Sequence, residues 1–182
     1  DSDRNVEYNE AESTIIQLSD EGSFCDTDTV VIDQNTVTIT DEGTYLLSGS
    51  LSDGMLIVNA ETTDEVHLVF NQAAISNQDS AAVYIASADK VFLTLADGTE
   101  NTVSNGGVYA DIDEDTIDVA IFSKADLSFN GTGKLIVTAA AGHGIVSKAD
   151  LIFADGSYEI SAAEHGIEGK DSVRIAEGTY EI

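Results

Sequence analysis

Lys124-Ala-Asp-Leu-Ser-Phe-Asn-Gly-Thr-Gly, Lys148-Ala-Asp-Leu-Ile-Phe-Ala-Asp-Gly-Ser-Tyr-Glu-Ile and Lys170-Asp-Ser-Val-Arg-Ile-Ala-Glu-Gly-Thr-Tyr-Glu-Ile are three versions of one phrase. They begin at residues 124, 148 and 170, so the phrase recurs after 24 and then 22 residues. Apolar and polar residues alternate within each copy (Leu151, Phe153; Val173, Ile175), and a glycine turn follows. In the last two copies the alternation resumes at Tyr158, Ile160 and at Tyr180, Ile182. A period of two belongs to a strand with one buried face, and the longer period belongs to a stacked array. One repeat is too short to bury its apolar side alone, so it must lie on its neighbour. The pattern predicts an all-β chain folded as a β-solenoid, a parallel β-helix of about 22–25 residues per coil.

The same wording is present early in the chain, where Asp41-Glu-Gly-Thr-Tyr-Leu-Leu matches Ala176-Glu-Gly-Thr-Tyr-Glu-Ile. Residues 1–35 read as an N-terminal arm and capping strands, and 36–182 as the coils of the same single domain. With the opening apolar residue of each repeat as a ruler, the marks fall at Val37, Val66, Val91, Leu127, Leu151 and Val173. The step from Val91 to Leu127 is the long one, and its surplus falls around 106–118. An insertion between stacked strands leaves the stack as a loop, which is where repeat proteins tend to carry function.

Composition narrows the function classes. The chain has 34 Asp and Glu against 7 Lys and Arg, a formal charge of −27. That excess argues against nucleic acid and against an anionic membrane surface. It also repels itself in a compact fold, and bound cations would relieve it; the plainer alternative is an acidic surface kept soluble by charge. No apolar run reaches the roughly 18–20 residues of a membrane span, so no direct membrane insertion is expected. The single Cys25 reads as a small buried or half-buried residue with no disulfide partner in the chain. A start at Asp1 instead of Met suggests a processed or truncated product.

Three groups of residues could carry chemistry. The surplus segment holds Asp111, Asp113, Glu114, Asp115 and Asp118. Hard cations such as Ca²⁺ take roughly six to eight oxygens, which alternate carboxylates and backbone carbonyls supply. The spacing begins like a helix–loop–helix calcium loop but then has Thr116 where Gly belongs and Phe122 where Glu belongs. A metal there would borrow ligands from other coils, with Asp79 and Asp126 as candidates. The second group, Lys124, Lys148 and Lys170, falls in one column beside Asp126 and Asp150, where it could pair with a sugar carboxylate or simply ease like-charge stacking. As a third possibility Lys124 or Lys148 could act as the base of a β-eliminating lyase, but little positive charge surrounds them to neutralise a uronate. The third group is His143 and His165, each before Gly-Ile and 22 residues apart, a stacked pair that could hold a transition metal or only face a turn.

Gly-Thr-Tyr-Leu-Leu-Ser-Gly-Ser-Leu-Ser-Asp-Gly (43–54), Ser-Ala-Asp-Lys-Val-Phe-Leu-Thr-Leu-Ala-Asp-Gly-Thr-Glu-Asn-Thr-Val-Ser (87–104), Ala-Ile-Phe-Ser-Lys-Ala-Asp-Leu (120–127) and His-Gly-Ile-Val-Ser-Lys-Ala-Asp-Leu (143–151) carry a resemblance. The chain resembles a bacterial family of calcium-containing, carbohydrate-binding parallel β-helices, similar in fold to the family-nine pectate lyases and associated with cellulose and polygalacturonate. The resemblance implies Ca²⁺ near Asp111, Asp113, Asp115 and Asp118, and near Asp126 and Asp150. The chain departs from that pattern at His143 and His165, where the family usually writes Asp. The expectation is a non-enzymatic, extracellular or cell-surface protein that binds acidic or cellulosic polysaccharide with calcium, Lys124, Lys148 and Lys170 facing the glycan. A second expectation is a filament in which the strand around 13–19 of one copy adds to the last coil of the next.

Overall fold

The computed structural model describes residues 2–106, 111–112 and 115–182. Within them the chain passes repeatedly over three rows of strands. The first row is Thr36–Ile39, Met55–Asn59, Val83–Ser87, Val119–Ser123, His143–Ser147 and Ile167–Gly169, each parallel to the one before. The second holds the first halves of Gly43–Leu51 and Glu65–Asn77, then Lys90–Leu95, Asp126–Gly131, Asp150–Phe153 and Ser172–Ile175. The third holds the second halves of those two long strands, then Glu100–Asn105, Lys134–Ala139, Ser157–Ala162 and Thr179–Glu181. The two long strands run through both rows and join them into one sheet. The result is an all-β protein whose parallel sheet curls around a common core.

The repeat is legible in the register. Val66, Val91, Leu127, Leu151 and Val173 are successive partners across the second row, and Phe129, Phe153 and Ile175 follow in step. Ile121, Ile145 and Ile167 are partners in the first row. Backbone hydrogen bonding sets neighbouring strands ~4.8 Å apart, which is also a comfortable ring-stacking distance. Phe129 and Phe153 accordingly stack at 4.9 Å and 5°, and Tyr158 meets both rings edge-on. The first ruler mark requires correction. Val37 pairs with Leu56 in the first row, and the residue opposite Val66 is Gly43. Both valines point inward, so alternation alone could not tell which side of the curl each belonged to.

The recurring Gly-Thr/Ser-Tyr wording has a local cause. The hydroxyls of Tyr45, Tyr158 and Tyr180 turn back to donate to the carbonyls of Asp41, Asp155 and Glu177 at the preceding turn, at 2.9, 2.6 and 2.5 Å. Burial pushes the Tyr158 phenol far up, so it stays a donor. The turn residue Gly156 has φ +122°, and a Cβ there would lie 2.6 Å from the Tyr158 hydroxyl, so glycine is required on both counts.

The surplus segment leaves at the corner between the third and first rows, after Asn105 and before Val119. Within it Asp111–Ile112 pairs antiparallel with Asp115–Thr116. Asp113 and Glu114 lie outside the described residues. At the other end Thr14–Leu18 runs parallel to 45–49, and Val30–Asp33 pairs antiparallel with Thr36–Ile39. Ile16, Leu18 and Val30 are buried in the same core as the coils. Residues ahead of them form an arm with two 3-10 turns, Ser2–Arg4 and Glu10–Glu12. Among the described residues no helix is long and apolar enough to cross a membrane.

Candidate functional site

The lysine column exists as spaced. The backbone N–H groups of Lys124, Lys148 and Lys170 donate to the carbonyls of Ile85, Ser123 and Ser147, one pass earlier, at the corner between the first and second rows. All three side chains are exposed. The Lys124 ammonium lies 5.8 Å from the Tyr84 ring centre and that of Lys148 lies 5.7 Å from the Phe122 ring. Each ammonium therefore sits within cation–π range of an aromatic side chain one pass earlier.

The carboxylates divide between two corners. Asp79, Asp111, Asp115 and Asp118 belong to the corner of the surplus segment, where Asp79 is exposed and the Asp118 carbonyl accepts the His143 N–H at 2.8 Å. Asp126 and Asp150 sit at the other end of the first-row strands. The strand Val119–Ser123 alone separates Asp118 from Asp126 by roughly 16 Å, so Asp126 cannot join an ion at the surplus segment. Asp126 Oδ1 accepts the Asp150 N–H at 3.0 Å, while the Asp150 oxygens take Ser172 Oγ at 2.6 Å and Arg174 Nη2 at 3.1 Å.

The rings of His143 and His165 lie with their centres 5.0 Å apart, tilted by 44° to one another. With Glu168 they form the one trio of metal-ligating side chains among the described residues whose ligand atoms lie within 4.8 Å of one another. Imidazole suits borderline transition metals, not calcium. His143 Nδ1 already accepts the His165 N–H at 3.2 Å, and His165 Nδ1 lies 3.4 Å from Glu168.

The outer surface of the second row is chemically mixed. Its columns read Glu65, Lys90, Asp126, Asp150, Ser172 and His67, Phe92, Ser128, Ile152, Arg174. His67 stacks on Phe92 at 4.5 Å, and the Lys90 ammonium sits 5.0 Å from the same ring. The N-terminal arm lies across this face. One Asp3 oxygen receives Lys90 Nζ at 2.5 Å and Ser128 Oγ at 2.7 Å, and Asn130 Nδ2 donates to the carbonyls of Asp3 and Asn5. Burial alone would raise the Asp3 carboxyl, but the bonds from Lys90 and Ser128 outweigh it and hold the group below the usual carboxylate range. Further along, Tyr8 packs against Leu46, Val69 and Ala96. Sequence reading passed over Asp3, Ser128 and Asn130. The available signal was Lys90, a cation in the column position that Asp126 and Asp150 fill one and two passes later.

The profile of carbohydrate-binding domain-containing proteins matches residues 33–182. The chain belongs to that family. A carbohydrate-binding domain-containing protein of Acetivibrio thermocellus is 31% identical over 159 residues, 86% of this chain. The match takes in 56% of the relative, so the chain spans about half the length of the curated protein it resembles. Among solved structures, a polysaccharide lyase-like protein from C. thermocellum, as a gadolinium derivative, superposes with a TM-score of 0.82 at 27% identity. It covers 91% of this chain and 80% of its own. The carbohydrate-binding homologue therefore has a polysaccharide lyase-like fold, a term that names an architecture and not a reaction.

Proposed function

We propose that this chain is an extracellular, non-catalytic module that binds acidic or cellulosic polysaccharide, polygalacturonate foremost, with the help of calcium. The stacked passes are taken as a right-handed parallel β-helix, because parallel crossover connections are right-handed in about 98% of cases. The observation that carries the binding reading is the second-row surface of a carbohydrate-binding homologue: Lys90, Asp126, Asp150 and Ser172 align along it, and the column of Lys124, Lys148 and Lys170 forms its rim. Rim lysines steer a polyanion towards a chain whose net charge would otherwise repel it.

Calcium is proposed at the corner of the surplus segment, held by oxygens from Asp79, Asp111, Asp113, Glu114, Asp115 and Asp118. An all-oxygen donor set suits a hard cation. Bound there, it would link protein carboxylates to those of the glycan. Asp126 and Asp150 would serve a second ion by giving up their bonds to the Asp150 N–H, Ser172 and Arg174. Co-sedimentation with insoluble polygalacturonate, with and without chelator, tests the reading. The expectation is retention that falls at least fivefold on chelation; retention indifferent to chelator refutes the metal link, and no retention refutes the glycan.

Head-to-tail self-association is the second reading. It is favoured by Ile15, Phe24 and Val31, which leave apolar surface exposed around the first strands. A bridge from Gln17 to Phe24 lies along the free edge of Thr14–Leu18, so strand addition there requires Phe24 to give way. Sedimentation across a hundredfold concentration range would show growing assemblies; monomers throughout remove the idea.

A further inference from the structure

We propose that the recess formed by Lys90, Ser128 and Asn130 is a uronate-binding subsite, and that Asp3 of the chain's own arm occupies it as an internal competitor. The inference rests on the acidic-glycan reading and assigns it a metal-free contact.

The recess is built before any ligand arrives. Ser128 and Asn130 are fully buried, and the Lys90 side chain is 16% exposed. The Thr94 hydroxyl donates to Asn130 Oδ1 at 2.6 Å, which turns the amide so that Nδ2 points outward at the arm. A carboxylate entering there meets an ammonium and a hydroxyl on one oxygen and a fixed amide donor beside it, which together recognise charge and a neighbouring oxygen. The set suits a hexuronate, with its carboxylate in place of that of Asp3. Its ring and hydroxyl oxygens would then stand where the Asp3 and Asn5 carbonyls accept from Asn130.

Beyond Asp3 and Asn5 the arm is anchored by Tyr8 on Leu46, Val69 and Ala96, and its remaining side-chain tie is weak. Its Arg4–Glu177 ion pair at 3.2 Å is exposed on both sides, a class of contact worth about 0–1 kcal/mol. Two clefts flank it, of about 220 and 190 Å³, and share Val6, Gly131 and Thr132 as lining residues. With the arm withdrawn, the two would adjoin over Gly131 and Thr132, between Asp155 and Asp97. The arm carries Asp3, Glu7, Glu10 and Glu12, a succession of carboxylates along one chain such as a polyuronate also presents, though here Ser2–Arg4 and Glu10–Glu12 are 3-10 turns.

The test uses trigalacturonate as probe, titrated calorimetrically in chelator so that no metal contributes. Asp3→Asn removes the competitor and is expected to bind at least fivefold more tightly than the unchanged protein. Glu7→Gln makes the same change in net charge on the same arm and is expected to alter affinity less than twofold. Adding Lys90→Met to Asp3→Asn should abolish the gain. In the unchanged, ¹⁵N-labelled protein, saturating trigalacturonate should move the Arg4 and Asn5 amide resonances towards random-coil positions. Equal affinities for Asp3→Asn and Glu7→Gln, a gain that survives Lys90→Met, or an arm unmoved at saturation would overturn the subsite. Co-sedimentation in calcium scores the broader reading separately. If every variant is retained while Asp3→Asn shows no gain, the subsite alone falls; if none is retained, the glycan reading falls with it.

Discussion

The outer surfaces of the second and third rows are built on the same coils and behave differently. On the third row one column, Ser76, Ser104, Thr138 and Ser161, is nearly uniform in its hydroxyls, with Ser104 Oγ donating to Ser76 Oγ at 2.9 Å, while the columns through Lys134 and Ile136 vary. On the second row a cation, carboxylates, a hydroxyl, an imidazole and an aromatic ring replace one another from pass to pass, and the arm crosses them. Inside, most columns stack apolar on apolar, because strands about 4.8 Å apart pack well that way; buried Asn101 in the column of Leu135 and Tyr158 is an exception. Outside, water accepts almost any polar side chain, so packing does not require the second row to vary. What sets the second row apart is the arm that crosses it, where Asp3 already occupies a face bearing a cation and a hydroxyl.

Experiments can break this comparison, beginning with the interior that both faces share. Phe153→Ala removes the ring between Phe129, Tyr158 and Tyr180, and should cost about 3–5 kcal/mol of unfolding free energy in chemical denaturation. A loss below about 1 kcal/mol would mean that the inner columns do not carry the stability. Asn130→Ala tests the junction of core and outer face. It strands the Thr94 hydroxyl and frees two arm carbonyls, for an expected loss of about 1–3 kcal/mol and faster proteolysis within residues 2–12.

The smallest expected effect is a pH dependence confined to the second row. Burial beside Phe92 holds His67 below its ordinary value of 6.5, with Glu65 opposing in part. A histidine with a depressed folded value contributes stability that is complete above 6.5 and lost as pH falls through the lower, folded value. Melting temperature should therefore decline between neutral pH and pH 5, and His67→Gln should flatten that part of the curve. A profile unchanged by the substitution would show that the His67–Phe92 stack is not linked to folding.

How much of this was readable in advance follows from the same contrast. The inner columns at Leu127, Leu151, Val173 and at Ile121, Ile145, Ile167 repeat their residue type at the coil length, so spacing alone placed them in register. Val37 was misplaced because an inward valine looks the same in every row. Asp126 was offered to the surplus segment because nearness in sequence hid a whole strand between them. The contact of Asp3 with Lys90 spans 87 residues, and no period links them. An acidic residue in a polar leader reads like any other until the fold brings it against buried Ser128 and Asn130.

The claim that the second-row surface holds the glycan is tested most directly by mapping amide shifts as trigalacturonate is added to ¹⁵N-labelled protein in calcium. Shifts clustered at Lys90, Ser128, Asn130 and the rim at Lys124 and Lys148, with Ser104 and Thr138 unmoved, are the expected result. Shifts confined to Ser76, Ser104, Thr138 and Ser161 would place the sugar on the third-row surface and contradict the account.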